Sequence, residues 1–325
     1  MDTYNELMRL FGKRMACLVI SAVQQTGEHK GSQITKFYPG FIISVRGQWL
    51  FVTAGHSIRD LDRALSDGST RITASRFVDC FSPDAKHQHP DSASFPFDYE
   101  GSRRQGFYFD EDADRREEDG EVLKPGDRDG RDFGFIKIDD HSKKLFEANE
   151  ICPLNEDLWK PPEGTVLREH VLVGIPEELI KKADQDKLTT FSPENVCIVV
   201  NDPICSATEL DTATHRRIVK EIPSNRPIKS VKGMSGGPLF AIGDGPVGEG
   251  RIWVVGIQSK EKGKCVFAYP FGSVVALIDE ALKQEASGDV PATGCKLDDA
   301  PKASNPEKAK HIPEPTRPGD GHASS

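Results

Sequence analysis

Short apolar runs separated by turn-forming residues are the feature that most constrains this 325-residue chain. The runs are rich in Val, Ile and Phe, and Gly, Pro and Asp punctuate them, as is typical of β-strands joined by turns. Because they follow one another at loose spacing, they favour an antiparallel sandwich or barrel over alternating β-α units. The runs lie at 15–23, 40–45, 49–53, 133–138, 171–175, 196–200, 218–222, 252–258 and 265–269.

Two local patterns add detail to this β-rich reading. Arg46-Gly47-Gln48 separates two strand-like runs and predicts a tight hairpin turn. Residues 273–284 place their apolar side chains on one helical face, with Ser273 as a capping residue and Gly288 as a terminator, and predict a helix. We also expect a short amphipathic helix within residues 1–14.

Composition and charge exclude several classes of protein. The chain is 37% hydrophobic, which suffices for a sizeable core, and its formal net charge is −9. The longest uncharged apolar stretch, 15–23, is far shorter than the ~18 residues that span a bilayer, so we expect no membrane partner. A pI of about 5.6 argues against nucleic acid as a partner, since nonspecific binding needs a basic surface.

The cysteines indicate a reduced protein without a metal site. Seven cysteines are widely spaced with no CxxC pair, which predicts neither a disulfide framework nor a zinc site. His87 and His89 with Cys80 lack the spacing and the fourth ligand of a metal centre, so we expect a polar loop, no metal and no cofactor. The basic pair before 15–23 leaves a signal peptide as an alternative. The short run and the acidic residues upstream favour a buried first strand and a cytoplasmic protein.

Charge is concentrated in residues 98–131, which hold twelve acidic and seven basic side chains. We interpret this block as a solvated loop within an insertion at 82–131. The predicted organisation is an N-terminal segment at 1–14, a first β-domain at 15–145 that carries the insertion, a second β-domain with the helix at 146–285, and a disordered tail at 286–325, which is rich in Pro, Ser, Lys and Asp.

The segment Gly233-Met234-Ser235-Gly236-Gly237-Pro238 is the most informative for function. Glycines on both sides of Ser235 allow a sharp turn that exposes its hydroxyl and leaves main-chain N–H groups able to face a substrate carbonyl. The same G-x-S-x-G spacing describes the nucleophile elbow of α/β-hydrolases. That alternative is disfavoured, because a strand-like run follows Pro238 and because the only later histidines, His311 and His322, lie in the expected tail.

A nucleophilic serine then needs a base from upstream. Thr53-Ala54-Gly55-His56 places His56 at the end of a hydrophobic strand. Asp132 directly precedes the strand-like run 133–138 and offers a carboxylate that can orient the imidazole. Three other acids are weaker candidates, because they lie in the charged loop or at the end of a strand: Asp127, Asp129 and Asp139.

Taken in this order, the motifs resemble those of the trypsin-like (chymotrypsin-fold) serine peptidases. The family patterns T-A-x-H, D-[IL]-A-[LV]-[LI]-K and G-[DN]-S-G-G-P have counterparts at 53–56, 132–137 and 233–238, with Gly134 in place of the Ala of the second pattern. Residues 255–259 resemble the family's substrate-pairing strand, and 171–176 resemble a V-x-x-G-x-P stretch of its bacterial members. The resemblance covers 15–285 and implies an all-β fold of two six-stranded antiparallel barrels with a C-terminal helix.

The resemblance also implies a serine endopeptidase that acts on peptide or protein substrates. Ser235 would attack the scissile carbonyl, His56 would be the general base and then the general acid, and Asp132 would hold the imidazole tautomer. The amides of Gly233 and Ser235 would form the oxyanion hole.

Substrate binding is expected on two segments. Ser259 would support Asp132, and Ser259, Lys260 and Glu261 would pair with the substrate main chain by strand addition. Lys229 lies where the family often forms the floor of the specificity pocket, so an acidic P1 side chain is the prediction. The alternative is that Lys229 faces solvent because loop lengths differ.

Two departures from the family pattern leave the mode of activation open. Met234 stands where secreted members carry an Asp that receives a new N-terminal amine, and Met cannot form that ion pair. The oxyanion hole would therefore organise without zymogen cleavage, or through another trigger such as an activating partner. Ser57 replaces the usual Cys beside the histidine, which fits a reducing compartment. The alternative function is a catalytically silent or latent protease-fold module for binding or signalling.

Overall fold

The computed structural model describes residues 14–78, 94–179, 196–203, 211, 213–224, 228–244 and 250–287. These residues form two antiparallel sheets, one of them curled as a half-barrel, and a C-terminal helix. The expected fold class is confirmed at this level. The finer expectation of two six-stranded barrels is not reached, since within the described ranges neither sheet closes and the first has seven strands.

The first sheet runs in the order β5-β4-β1-β2-β3-β7-β6. Its hairpin between β2 and β3 is the one expected: Val45 pairs with Gln48, and Arg46 and Gly47 both have positive φ angles of 52° and 75°. Positive φ at both central residues is the two-residue turn whose twist matches flanking strands. The strands are β1 (Met15–Gln24), β2 (Gln33–Val45), β3 (Gln48–Thr53), β4 (Thr70–Val78), β5 (Ser94–Pro96), β6 (Arg104–Tyr108) and β7 (Asp132–Lys137).

The second sheet runs in the order β10-β13-β12-β11-β8-β9. Its two edges meet just past β9, where Asn201 and Glu221 exchange backbone hydrogen bonds of 2.9 and 2.8 Å. This is one bridge and not a strand ladder, so the edges touch without a continuous barrel wall. The strands are β8 (Val166–Gly174), β9 (Val196–Val200), β10 (Ile218–Glu221), β11 (Pro238–Asp244), β12 (Gly250–Lys262) and β13 (Cys265–Pro270).

The described α-helices are α1 (Gly55–Ser66), α2 (Glu111–Glu118), α3 (Asp140–Ala148) and α4 (Phe271–Ser287), with short 3₁₀ turns at Glu156–Leu158 and Glu177–Leu179. The predicted C-terminal helix is confirmed as α4, which starts two residues earlier than expected and buries Val274 and Ile278 completely. Because α4 continues to Ser287, the expected tail does not begin at 286. The remainder of that tail and residues 1–13 lie outside the described residues. Within the described ranges, no helix is both long and apolar enough to cross a bilayer.

A single apolar cluster joins the two sheets and α4. Phe41 of β2, Phe133 of β7 and Tyr269 of β13 lie in it together with α4, and the rings of Phe133 and Tyr269 stack with centroids 5.5 Å apart. Aromatic stacking of this kind adds to the free energy gained from burial. The shared core fixes the sheets against each other and so fixes the cleft between them.

The expectation of a solvated loop at 98–131 was wrong. This part of the chain contains β6 and α2, and Tyr99, Asp110 and Arg128 are buried. Some of the charged groups have protein partners in place of water: Asp110 Oδ1 accepts from the Asp129 amide at 2.6 Å. Others, such as Glu118 and Asp119, are exposed, so the density of charge alone does not separate paired from solvated residues. Residues 79–93, with the His87, His89 and Cys80 assignment, lie outside the described residues.

Candidate active site

His56 is the second residue of α1 and lies three residues after the end of β3 at Thr53. Gly55 is needed at this junction, because a Cβ there would lie 2.3 Å from the Phe107 carbonyl oxygen and 2.6 Å from that of Phe133. The backbone of α1 can therefore pack closely against β6 and β7. Ile58, farther along α1, is buried and holds the helix against the first sheet.

Asp132 holds His56 with both carboxylate oxygens. Oδ2 lies 2.8 Å from the His56 Nδ1 atom, and Oδ1 accepts the His56 main-chain N–H at 2.9 Å. The Asp132 side chain is only 8% exposed, so water competes little for these bonds. Because a carboxylate can only accept, Nδ1 is the donor, and Nε2 is the ring nitrogen that can exchange a proton with another group.

The charge around His56 changes its proton affinity. Burial of the imidazole acts to lower its pKa, but the charge and hydrogen bond of Asp132 outweigh burial. With smaller contributions from Asp60 and Asp114, they raise the pKa of His56 to about 9. The ring also contacts Tyr108 edge-on, with centroids 5.8 Å apart. At neutral pH the imidazole is therefore mainly protonated in the resting protein.

The loop that carries Ser235 depends on two glycines in the left-handed region. Gly233 has φ 90° and Gly236 has φ 92°. A Cβ at Gly236 would also lie 2.3 Å from Thr53 Oγ1 and 2.7 Å from the Ala54 amide nitrogen. The serine loop thus rests directly on the segment that leads into His56, which brings the two motifs together.

Two of the five amides from Gly233 to Gly237 differ from the others in their hydrogen bonding. In the described part of the chain, the N–H groups of Gly233 and Ser235 have no acceptor. These are the two amides that the sequence predicts for the oxyanion hole. The other three are paired: Met234 N with Val231 O at 2.9 Å, Gly236 N with Gln258 O at 2.8 Å, and Gly237 N with Met234 O at 2.8 Å.

Met234 anchors the loop by burial. Its side chain is completely buried in an apolar cluster that includes Leu172 and Leu239. Gly174 of β8 accommodates it, since a Cβ there would lie 2.9 Å from the Met234 Cβ. Packing interactions therefore hold the loop at the position where the family pattern expects an ion pair.

One cavity of about 1000 Å³ joins these parts. His56, Asp132, Gly233 and Ser235 all line it. Among the described residues, no direct hydrogen bond joins the Ser235 hydroxyl to the His56 ring. The structure thus gathers the predicted triad and the predicted oxyanion-hole amides around the same space, with the His56–Asp132 half already bonded.

The predicted substrate-binding residues divide into two groups. Ser259, Lys260 and Glu261 of β12 line the cavity, as expected for a substrate-pairing segment. The Ser259 hydroxyl, however, donates to the Phe267 carbonyl at 3.1 Å and not to Asp132, because it faces the neighbouring strand β13. The predicted support of Asp132 by Ser259 is therefore not present.

Lys229 does not line the cavity. It is exposed, and its main-chain N–H donates to Glu178 Oε1 at 2.6 Å, beside the second 3₁₀ turn. The prediction of a basic pocket floor at Lys229 is wrong for this structure, and so is the argument for an acidic P1 residue. The exposure of Lys229 favours the alternative, in which this side chain faces solvent.

The rival acids have other partners. Asp127 pairs with Arg116 at 3.0 Å, Asp129 pairs with Arg131 at 2.7 Å, and the Asp139 side chain accepts from the Ser142 amide as the N-cap of α3. Within the described ranges, no cluster of three or more His, Cys, Asp or Glu side chains could hold a metal ion.

Several residues of the cavity wall were not predicted from the sequence. Tyr108, Asp114, Glu117 and Lys262 line it, as does Gln258, whose buried Oε1 has no hydrogen-bond partner within the described ranges. One signal for α2 was present: acids in its first turn are followed by Arg115 and Arg116 in its last, which complements a helix dipole. Nothing in the sequence indicated that Gln258 lines a cavity, because the run 252–258 that contains it was predicted as an apolar strand.

The arrangement suits nucleophilic chemistry. It combines a half-buried serine that lines the cavity, an imidazole oriented by a carboxylate, and two amides without acceptors in the described part of the chain. Neither a scan against known protein families nor a search of curated proteins finds a match for this chain.

Proposed function

We propose that this chain is a serine endopeptidase of the trypsin-like kind, which hydrolyses peptide bonds in protein or peptide substrates. The observation that carries the proposal is that His56, Asp132 and Ser235, far apart in sequence, line one cavity, and that His56 is bonded to Asp132. The order of the three motifs supports the same activity.

In the proposed reaction, Ser235 Oγ attacks the scissile carbonyl carbon while His56 Nε2 takes the hydroxyl proton. The carbonyl oxygen becomes an oxyanion, which accepts hydrogen bonds from the amides of Gly233 and Ser235. Asp132 stabilises the imidazolium. Collapse of the intermediate breaks the C–N bond, and the imidazolium protonates the leaving amine. A water molecule, deprotonated by the same imidazole, then hydrolyses the acyl-enzyme and restores the serine.

The raised pKa of His56 gives this reaction a defined pH dependence. Only the neutral imidazole can accept the Ser235 proton, and the Asp132 carboxylate favours the charged form. We therefore expect kcat/KM to rise from neutral pH towards pH 9, with the acid limb reporting on His56 in the free enzyme.

The proposal extends to fold, activation and compartment. The two sheets would be the counterparts of the family's two barrels. The complete burial of Met234 supports a serine loop that needs no zymogen cleavage. The thiols of Cys17 and Cys152 are unpaired, which suits a reducing cytoplasm. No cofactor enters any step.

A second candidate, a latent or silent protease-fold module, is favoured by one specific observation. Carboxylates of α2 form ion pairs with Lys260 and Lys262 at the proposed substrate-pairing strand. A protein that keeps this strand occupied would bind a partner without hydrolysing it, or would hydrolyse only after release.

Hydrolysis of a fluorogenic peptide library by wild-type protein and by Ser235→Ala separates these functions. If the proposal holds, the variant loses a factor on the order of 10⁶ in kcat, because nucleophile and base act as a unit. Ser66→Ala is the matched control, since Ser66 is exposed at the end of α1 and does not line the cavity. Equal residual hydrolysis by wild type and Ser235→Ala would refute the peptidase assignment.

A further inference from the structure

The acidic helix α2 connects the two sides of the candidate active site. On the side of the first sheet, Glu111 pairs with Arg59 and Arg63 of α1 at 3.1 and 2.5 Å. On the side of the second sheet, Asp114 and Glu117 reach the end of β12. The helix therefore crosses the cleft whose wall it forms.

The acidic side chains of α2 are spaced so that they can meet two lysines of β12. Lys260 Nζ lies 2.7 Å from Asp114 Oδ1 and 3.0 Å from Glu117 Oε2, and Lys262 Nζ lies 2.6 Å from Glu117 Oε1. Residues three apart share a helix face, and residues two apart share a strand face. One face of α2 thus meets one face of the strand through paired charges.

The strand end held in this way is the part of β12 that runs along the cavity. The ladder between β11 and β12 ends where Pro238 pairs with Ile257, and residues 259–262 continue beyond it. Lys260 and Lys262 line the cavity together with Ser235. A peptide that added to β12 beside Ser235 would run along this extension, next to the side chains that α2 holds.

Two further contacts fix the carboxylates of α2. Arg128, only 8% exposed, lies 2.6 Å from both Asp114 Oδ1 and Glu117 Oε2. The Tyr108 hydroxyl donates to Asp114, and the Tyr108 ring packs against His56. The hydrogen bond from Lys262 is the main cause that lowers the pKa of Glu117 to about 2, so its carboxylate is charged at neutral pH.

We propose that α2 is an intramolecular clamp, in which Asp114 and Glu117 hold Lys260 and Lys262 and restrict access of a peptide to the substrate-pairing end of β12. The clamp rests on the proposed function, because it regulates that same site. Its ion pairs are partly exposed, and pairs of this kind are individually weak and weakened by salt. The clamp is therefore reversible, and a peptide or a rise in ionic strength opens it.

The double variant Lys260→Gln/Lys262→Gln tests the clamp, with Lys264→Gln as the matched control. Lys264 lies in the turn after β12, is exposed and does not line the cavity. We expect kcat/KM at low salt to rise about tenfold in the double variant, the combined size of a few weak ion pairs. Raising the salt concentration from 50 to 500 mM shortens the electrostatic screening length from about 14 to about 4 Å and so weakens the ion pairs. Wild type and Lys264→Gln should therefore gain activity over this range, and the double variant should not. An unchanged kcat/KM with unchanged salt dependence overturns the clamp.

A variant pair on the helix keeps the test independent of the strand. Glu117→Gln removes the carboxylate that both lysines share and leaves the Asp114 pair with Arg128 in place, so it should also activate. Asp119→Asn removes equal charge at an exposed position outside the cavity and should behave like wild type. If only the lysine variants activate, the effect belongs to the lysines themselves, and the clamp is refuted.

Hydrogen exchange separates the clamp from the proposed function. Amides of 111–118 should exchange faster in Lys260→Gln/Lys262→Gln than in wild type or Lys264→Gln, whether or not any of them hydrolyses peptides. Faster exchange without hydrolysis by any variant would keep the contact and refute the peptidase assignment. Unchanged exchange would refute the clamp, even in an active enzyme.

Discussion

The two halves of the candidate active site are held by different forces. His56 depends on a charged contact, since both oxygens of Asp132 bond to it. The Ser235 loop depends on backbone geometry and packing: Gly233 and Gly236 supply the positive φ angles, and Met234 is fully buried beneath them.

The difference teaches which perturbations each half should feel. A charge-held imidazole responds to pH and to loss of one carboxylate, because its proton affinity is set by that neighbour. A loop held by a buried methionine responds to changes of volume or polarity in the core, and not to titration. Met234 is thus an uncharged residue at a position where secreted trypsin-like peptidases carry a charged Asp.

Of the changes that separate the two halves, the largest effect is expected from breaking the contact between His56 and Asp132. Asp132→Asn should lower kcat by about 10⁴, because the amide no longer holds the productive tautomer. Its second signature is the pH profile. Loss of the carboxylate lowers the pKa of His56 from about 9, so the acid limb of kcat/KM moves to lower pH. Activity equal to wild type would show that Asp132 is not the third member of the triad.

The packed half should break when a charge is placed in it. Met234→Asp buries a carboxylate with no partner, and we expect it to lower the free energy of unfolding by roughly 3–5 kcal/mol. Met234→Leu keeps volume and polarity and should cost less than about 1.5 kcal/mol. Urea denaturation measures both. A stable and active Met234→Asp protein would mean that a cation reaches this position, and that packing is not what holds the loop.

The pH dependence of stability sharpens the comparison. Because the folded-state pKa of His56 is raised to about 9 from 6.5, its pair with Asp132 stabilises the fold fully below pH 6.5. That contribution is lost as pH rises from 6.5 to 9. We expect the difference in unfolding free energy between wild type and Asp132→Asn to shrink by roughly 1–2 kcal/mol, since partial exposure of the ring reduces the effect.

Met234→Leu is the matched control for this measurement. It should show the same decline with pH as wild type, because it leaves the charged half intact. A wild-type minus Asp132→Asn difference that stays constant from pH 6.5 to 9 would contradict the assigned proton affinity.

The smallest effect on stability is expected at Gln258, which lies beside the serine loop. The main chain of Gln258 bonds the serine loop, and its buried side-chain Oε1 has no hydrogen-bond partner among the residues that the structure describes. Gln258→Met removes this unpaired acceptor at similar volume, so it should stabilise the fold by about 1 kcal/mol. Thermal unfolding measures the change, and a clear loss of stability would show that the amide is paired in solution.

Much of the fold was predictable because local rules coincide with the tertiary structure. The β2–β3 hairpin follows from Arg46-Gly47, and α4 follows from apolar spacing that ends on a shared core. The contact between His56 and Asp132 followed from motif order. Each of these features depends on residues that are close in sequence, or on residues that lie at the ends of predicted strands.

What the sequence did not reveal depends on long-range charge pairing. Asp114 and Arg128 look like solvated residues in a charged run, yet their ion pair is partly buried and α2 forms a wall of the cavity. The assignment of Lys229 to a pocket floor failed for a similar reason, because the path of the loop that carries it is set by the fold and not by its distance from Ser235 in the sequence. Pairing partners and loop paths are properties of the folded chain.

Active-site labelling with a fluorophosphonate, read by mass spectrometry of the digested protein, tests the central claim most directly. The account predicts covalent modification of Ser235 in wild type, faster modification in Lys260→Gln/Lys262→Gln, and none in His56→Ala. No modification of Ser235 in wild type or in the lysine variant, at any pH up to 9 or any salt concentration, would contradict it.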